Sequence, residues 1–357
     1  MPRKPLVIGF IVLGLIATAI GASFYAYRRA YEYFANELPI LPEILSQPRP
    51  VSIATPSASQ DEIIVLPKAW DGKERVNILL LGIDQRAGES ERAYRTDTII
   101  VFTLDPMAME AGILSIPRDI WVPIPGEFEQ PNYRINQANF LGDAYDYPGG
   151  GIALARKTVE NFLGIPIHFV ARINFTAFEN FIDRIGGITI DVPEPIYDPQ
   201  YPTEDYGVEV FSLPAGLQTM DGATALKYAR TRHSHNGDFD RARRQQQVIL
   251  AVREKLKNPQ TLALLIASAP DMLRELGSSI KTDMTLDQMQ QLAVLAQNLE
   301  RDKIKSEVLD QRYTEFATTP DGAQVIIPIR ARIAELRDRF FSSPVTVKAA
   351  EIRSTTP

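Results

Sequence analysis

Leu6 to Tyr27 is an unbroken uncharged run of 22 residues, LVIGFIVLGLIATAIGASFYAY, long enough to cross a hydrocarbon core as a helix. Ala17-Thr18-Ala19 resembles a signal-cleavage site, but the apolar run continues past it, so an uncleaved transmembrane anchor is expected within residues 1–30. Arg3 and Lys4 precede the run and Arg28 and Arg29 follow it, so charge leaves its orientation open. Residues 31–75 carry Pro, Ser and short apolar pieces without a sustained period, the pattern of a semi-extended tether.

Beyond the tether the pattern becomes that of a folded domain. Val76 to Ile83 is a β-prone apolar run that predicts a buried strand ending at Asp84. DTIIVFTLD, from Asp97, predicts a second strand, and ILSIPRD a third that ends at Pro117 and Arg118. In an antiparallel meander Asp84, Arg86, Arg95, Asp97 and Arg118 would share one rim of the sheet. The next periodic stretch predicts a helix with Ile152, Ala155, Val159 and Phe162 on one face and Gly164 past its end. FTAFENFIDRIGGITIDVP predicts a helix stopped near Gly186 and Gly187 and then a strand. Thr285 and Gln288 form a capping box ahead of a helix carrying Leu286, Met289, Ala293, Ala296 and Leu299. A last strand, Gln324 to Ile327, precedes a helix with Ile333, Leu336 and Phe340. The expectation is one α/β layered domain over 76–345, a central mixed sheet flanked by helices, with a short tail at 346–357.

Composition removes several function classes. The net charge of −6 argues against a nucleic-acid partner, which needs a net basic face. With no cysteine, disulfides, zinc thiolates and thiol nucleophiles are excluded. Gly149 to Gly151 could cradle phosphate at a helix N-terminus, but no Lys-Ser/Thr follows, and a plain loop is the favoured reading. His233 and His235 lack further ligands for a metal, and His168 reads as a satisfied, partly buried residue.

The densest chemistry lies in YARTRHSHNGDFDRARRQQQ, Tyr228 to Gln247, which holds five arginines. Asp238 is expected at a helix N-cap, with Asp238, Arg241 and Gln245 on one face and Arg244 beside them. Arg230 and Arg232, two apart, would point the same way in an extended segment. Arg243 pairs with Asp240 as an ordinary surface contact. Arginine forks meet phosphate oxygens bidentately, so a converging set suits a ligand with more than one negative charge.

Taken in order, LLLGIDQR, RTDT, SIPRD, RIN, GGITIDVP, the stretch from Met220 to His233 and GDFDRARRQQ resemble the LytR-CpsA-Psr family of cell-wall polymer ligases, over about Val76 to Phe341. The resemblance implies a membrane-anchored enzyme with its catalytic domain outside the cytoplasmic membrane. It implies a polyprenyl-pyrophosphate-linked glycan as donor, its lipid tail in an apolar channel, and transfer of the glycan phosphate to a wall hydroxyl such as one of peptidoglycan. It further implies that Asp84 and Asp97 hold Mg²⁺ and that Arg95, Arg118, Arg230, Arg232, Arg241 and Gln245 grip the pyrophosphate, oriented by Asp238. Arg134 stands where many members have lysine in a KIN motif, and Arg86 and Arg244 are further contacts. Asp84, Asp97, Arg118 and Arg230 would carry the catalysis, with Asp97 the candidate general base. A pyrophosphatase and a non-catalytic lipid-binding protein are the alternatives.

Overall fold

The computed structural model describes residues 72–85, 93–203, 205–277 and 279–341. The expected anchor, most of the tether, Arg86 and the tail lie outside the described residues, among which no helix is long and apolar enough to cross a membrane.

The expected meander forms. β1 (Val76–Ile83) pairs antiparallel with β2 (Thr96–Asp105), and β2 with β3 (Glu110–Ser115). The third strand begins at Glu110 rather than Ile113, because Asp105 tightens the turn by accepting hydrogen bonds from the Met107 and Ala108 backbone N–H groups. It stops before Pro117, which has no N–H for a ladder. A short hairpin, β4 (Trp121–Val122) and β5 (Tyr133–Arg134), leads into α1 (Gln137–Ala144) and α2 (Gly150–Leu163). Next come β6 (Phe169–Ile173), α3 (Phe175–Arg184), β7 (Ile188–Val192), β8 (Ile196–Pro202), β9 (Val208–Leu213) and β10 (Gly216–Met220). Then follow α4 (Gly222–Arg230), α5 (Asp238–Leu256), α6 (Pro259–Glu275), β11 (Ile280–Thr282) and α7 (Leu286–Asn298). The series closes with β12 (Ile304–Val308), β13 (Thr314–Thr318), β14 (Gln324–Pro328) and α8 (Arg330–Phe341).

The central sheet runs β11-β6-β1-β2-β3-β12 and is mixed, parallel at β1/β6 and β3/β12 and antiparallel elsewhere. Strand alternation sends Leu79, Leu81 and Val101 to one face, onto Leu154, Val159 and Phe162 of α2 and Leu336 and Phe340 of α8. Val76, Ile100 and Ile113 join a core on the opposite face that also takes Ile249 of α5 and Leu292 of α7. A third apolar cluster joins Ile182, Ile188, Tyr228 and Val248, from α3, β7, α4 and α5.

The glycine triplet serves packing. α2 starts at Gly150, and the Gly151 N–H donates to Asp143 Oδ1 at 2.7 Å, so the protein's own carboxylate occupies that helix end. A Cβ on Gly151 would lie 2.2 Å from the Asn139 carbonyl oxygen, so glycine lets α1 and α2 approach. His168 is satisfied as expected: its Nδ1 accepts from the Asn77 N–H at 2.9 Å, and burial moves its pKa down. The capping box of Thr285 and Gln288 forms in full.

Candidate active site

Three arginines converge on two carboxylates. Arg118, just past β3, donates from Nη1 to Asp97 Oδ1 at 2.7 Å, and its Nε lies 3.5 Å from Asp119 and from Asp238. Arg232 places Nη2 3.6 Å from Asp97 Oδ2 and Nε 3.2 Å from Asp238 Oδ1. Arg241 donates from Nη2 to Asp238 Oδ2 at 2.9 Å and to the Asp97 carbonyl at 3.0 Å. Asp238 therefore orients Arg118, Arg232 and Arg241. It does so from the first turn of α5 rather than from the N-cap, where Gly237 sits with φ of 52°. Its carboxylate is committed to guanidinium groups and leaves the capping role unfilled.

Arg230 stands apart from that knot. It closes α4, a helix capped by the Asp221 side chain on the Thr224 N–H, so the extended reading holds only from Thr231 onward. Its guanidinium lies 4.0 Å from the Phe175 ring centre, donates to the Tyr201 hydroxyl at 3.1 Å and sits 3.6 Å from Asp84 Oδ2.

Burial dominates the electrostatics. Arg241 is 5% exposed, and burial, assisted by Arg232 and Arg118, pulls its pKa down to about 10. Burial pushes the Asp97 pKa upward, yet Arg118, Arg241 and Arg232 together hold it below the ordinary carboxylate value. Burial likewise opposes the charge on Arg118, and Asp97, with Asp238 and Asp119, more than restores it. A carboxylate so stabilised in its charged form is a poor proton acceptor near neutrality, which argues against Asp97 as the general base.

Two cavities meet at Asp84 and Asp97. The first, about 560 Å³, opens between the sheet and the third apolar cluster. Arg230, Arg232, Arg241 and Gln245 line it, together with Leu80, Ile100, Phe175, Phe178, Leu226 and Val248. Gln245 donates to Thr98 Oγ1 at 3.0 Å. The second, about 520 Å³, is lined by Tyr94, Arg95, Arg118, Asp119, Arg134, Asn136 and Phe140. Exposed Arg95 and half-buried Arg134 line the second cavity and not the first. Arg134 is held by Asp119 at 3.2 Å and by donation to the Gln324 carbonyl at 2.7 Å.

Arg244 departs from the expected role. It donates from Nε to the Tyr228 carbonyl at 3.0 Å and from Nη2 to the Thr231 carbonyl, buried away from both cavities. It braces the segment that carries Arg230 and Arg232 and lines neither cavity. Arg243 pairs with Asp240 as expected, at 2.8 Å, and also with Asp310 at 2.9 Å.

Sequence reasoning missed Asp119, Asn136, Tyr201 and the apolar lining. Asp119 and Asn136 were nonetheless in reach, as the last residues of SIPRD and RIN.

The LytR_cpsA_psr family model matches residues 47–340 of the chain. TagU of Bacillus licheniformis, named as a polyisoprenyl-teichoic acid–peptidoglycan teichoic acid transferase, is 31% identical over 220 residues, covering 61% of this chain and 63% of that protein. The match thus spans just under two thirds of that relative's length. The protein of the same name from Oceanobacillus iheyensis is 31% identical over 291 residues, covering 81% of this chain and 80% of its own. A solved structure of TagT bound to LIIa-WTA aligns with a TM-score of 0.60 at 28% identity, over 76% of this chain and 92% of that one.

Proposed function

The chain belongs to the LytR-CpsA-Psr family, and on that footing we propose that it is a phosphotransferase that moves a glycan phosphate from a polyprenyl-pyrophosphate carrier to a cell-wall hydroxyl, releasing polyprenyl phosphate. The observation that carries this reading is the first cavity, whose wall joins buried Arg241, half-buried Arg230 and exposed Arg232 to an apolar surface. A ligand complementary to it has a multiply charged head and a hydrocarbon tail, and a polyprenyl pyrophosphate has both. The names of the relatives, with their polyisoprenyl-linked donor and peptidoglycan acceptor, support the same choice.

Phosphoryl transfer asks for positive charge where negative charge develops. Arg230, Arg232 and Arg241 would hold the pyrophosphate in the first cavity, and Arg118 would face the transferred group from the second. An anion bound there would relieve the mutual repulsion of these guanidinium groups. No group of three or more His, Asp or Glu among the described residues could hold a metal. Asp84 and Asp97 nonetheless fit Mg²⁺, which takes one or two carboxylates, retains waters and binds phosphate oxygens. When bound there, Mg²⁺ would supply charge neutralisation at the pyrophosphate. The Leu6–Tyr27 run would anchor the chain in the cytoplasmic membrane with the domain outside.

The test is release of polyprenyl phosphate by the full chain from a polyprenyl-pyrophosphate saccharide with Mg²⁺, with and without a wall-glycan acceptor, beside Arg118→Ala. Acceptor-dependent release that is lost in the variant is expected. Equal release without acceptor would make the protein a pyrophosphatase, and binding without release would remove the enzymatic reading.

A further inference from the structure

The β8–β9 hairpin departs from the alternation expected of a ribbon packed on one side, which turns apolar residues inward and polar residues outward. Inward the rule holds, with Ile196, Tyr201, Phe211 and Leu213 buried in the third cluster. Outward it fails. Val208 is 67% exposed, Val210 60% and Tyr197 60%, and Tyr206 in the connecting turn is 76% exposed. Four of the ten exposed large apolar or aromatic side chains among the described residues thus fall on this one hairpin, and such clustering marks an interaction surface.

The same hairpin borders the mouth of the first cavity. Among the residues lining that cavity only Gln200, Pro202, Arg232 and His233 are exposed, so these four mark its opening. Pro202 pairs with Val208 and shares its face, so the apolar outer face begins at the mouth. A prenyl tail reaches that mouth from a bilayer, and each methylene exposed to water on the way costs about 0.8 kcal/mol. An apolar surface seated in the bilayer beside the mouth removes the water crossing. On this ground, which rests on the function proposed above, we infer that the outer face of the β8–β9 hairpin, with Tyr197, Val208 and Val210, docks on the lipid bilayer and admits the carrier lipid to the first cavity. A second copy of the chain seated there would close the mouth instead.

Charge decides the kind of contact. The ionisable groups at the hairpin are chiefly acidic: Glu194 and Asp205 are exposed at its two ends, and Lys227 is paired with Glu209 at 2.6 Å. Such a surface has little to gain from anionic headgroups. The contact is therefore apolar, with the valines at the acyl boundary and the Tyr197 ring among the headgroups, where amphipathic aromatic rings sit.

The chain has no cysteine, so a single label can be placed without removing others. The full chain carrying Val210→Cys with an environment-sensitive fluorophore is reconstituted into phosphatidylcholine vesicles, with and without doxyl-labelled lipid. Met107→Cys is the control, since Met107 is 78% exposed in the turn between β2 and β3, at the other end of β2 from Asp97. Strong quenching by doxyl lipid at Val210→Cys, none at Met107→Cys, and no gain when anionic lipid is added are expected. An unquenched label at Val210→Cys would overturn the inference, and a blue shift without quenching that grows with protein density would assign the face to a second copy. Val208→Asp combined with Val210→Asp should raise KM for a long-tailed donor in vesicles roughly tenfold or more and leave KM for a short-tailed, water-soluble donor unchanged. An equal rise for both donors, or none for either, would also overturn it. Quenching at Val210→Cys in a protein that transfers no glycan would refute the proposed function and keep the docking surface.

Discussion

Arg241 and Arg244 lie one turn apart on α5 and do opposite work. Arg241 keeps its charge in a buried place beside two other cations, poised for an anion, whereas Arg244 satisfies two carbonyls and holds still the chain that positions Arg230 and Arg232. Residue type alone could not tell them apart; the difference lies in which carbonyls and carboxylates stand within reach. Asp97 permits a direct check. Its folded-state pKa is depressed below 3.8, so its contribution to stability is fully present above that value and is lost as pH falls through the lower folded one. The stability difference between wild type and Asp97→Asn, measured by thermal unfolding across pH, should hold constant near neutrality and close below about pH 4. A difference that persisted undiminished at pH 2 would show that the charge of Asp97 is not what stabilises the cluster.

At the scale of elements, legibility followed local pattern. The β-prone apolar runs of β1 and β2, the glycine stop after α2 and the capping box of α7 are all statements about neighbouring residues, and all are present in the fold. The rim shared by Asp84, Asp97 and Arg118 was also legible, since antiparallel pairing fixes which strand ends lie together. The end of α4 was not, because Arg-Thr-Arg reads as extended while the Asp221 cap and the Ala- and Leu-bearing turn before it extend the helix through Arg230. The first cavity was invisible for a deeper reason. Phe178 and Val248 both line it and pack on the third cluster, so an apolar period reports a face that avoids water, whether protein or a ligand covers it. The α1/α2 contact offers a test of packing. Gly151→Ala drives a methyl group into the Asn139 carbonyl, and should cost about 1–3 kcal/mol in denaturant unfolding. A neutral result would mean that the helices separate freely.

For the whole molecule, the central point is where the cavities fall. The first lies at the seam between the face of the sheet carrying Leu80 and Ile100 and the cluster built from α3, α4 and β7, so two independently packed cores form its opposite walls. Leu226→Trp, which adds bulk to that seam, should raise KM at least tenfold for a donor with a long prenyl tail and leave a short-tailed analogue nearly unaffected. Kinetics with a tail-length series would check it, and an equal loss for both tails would place the lipid elsewhere. The two cavities have only Asp84 and Asp97 in common among their lining residues. One wall comes chiefly from residues 173–249, and the other from residues 93–140 with Tyr206. The architecture is modular around a fixed centre: the shape of either cavity can change through residues the other does not use, with a single pair of aspartates common to both.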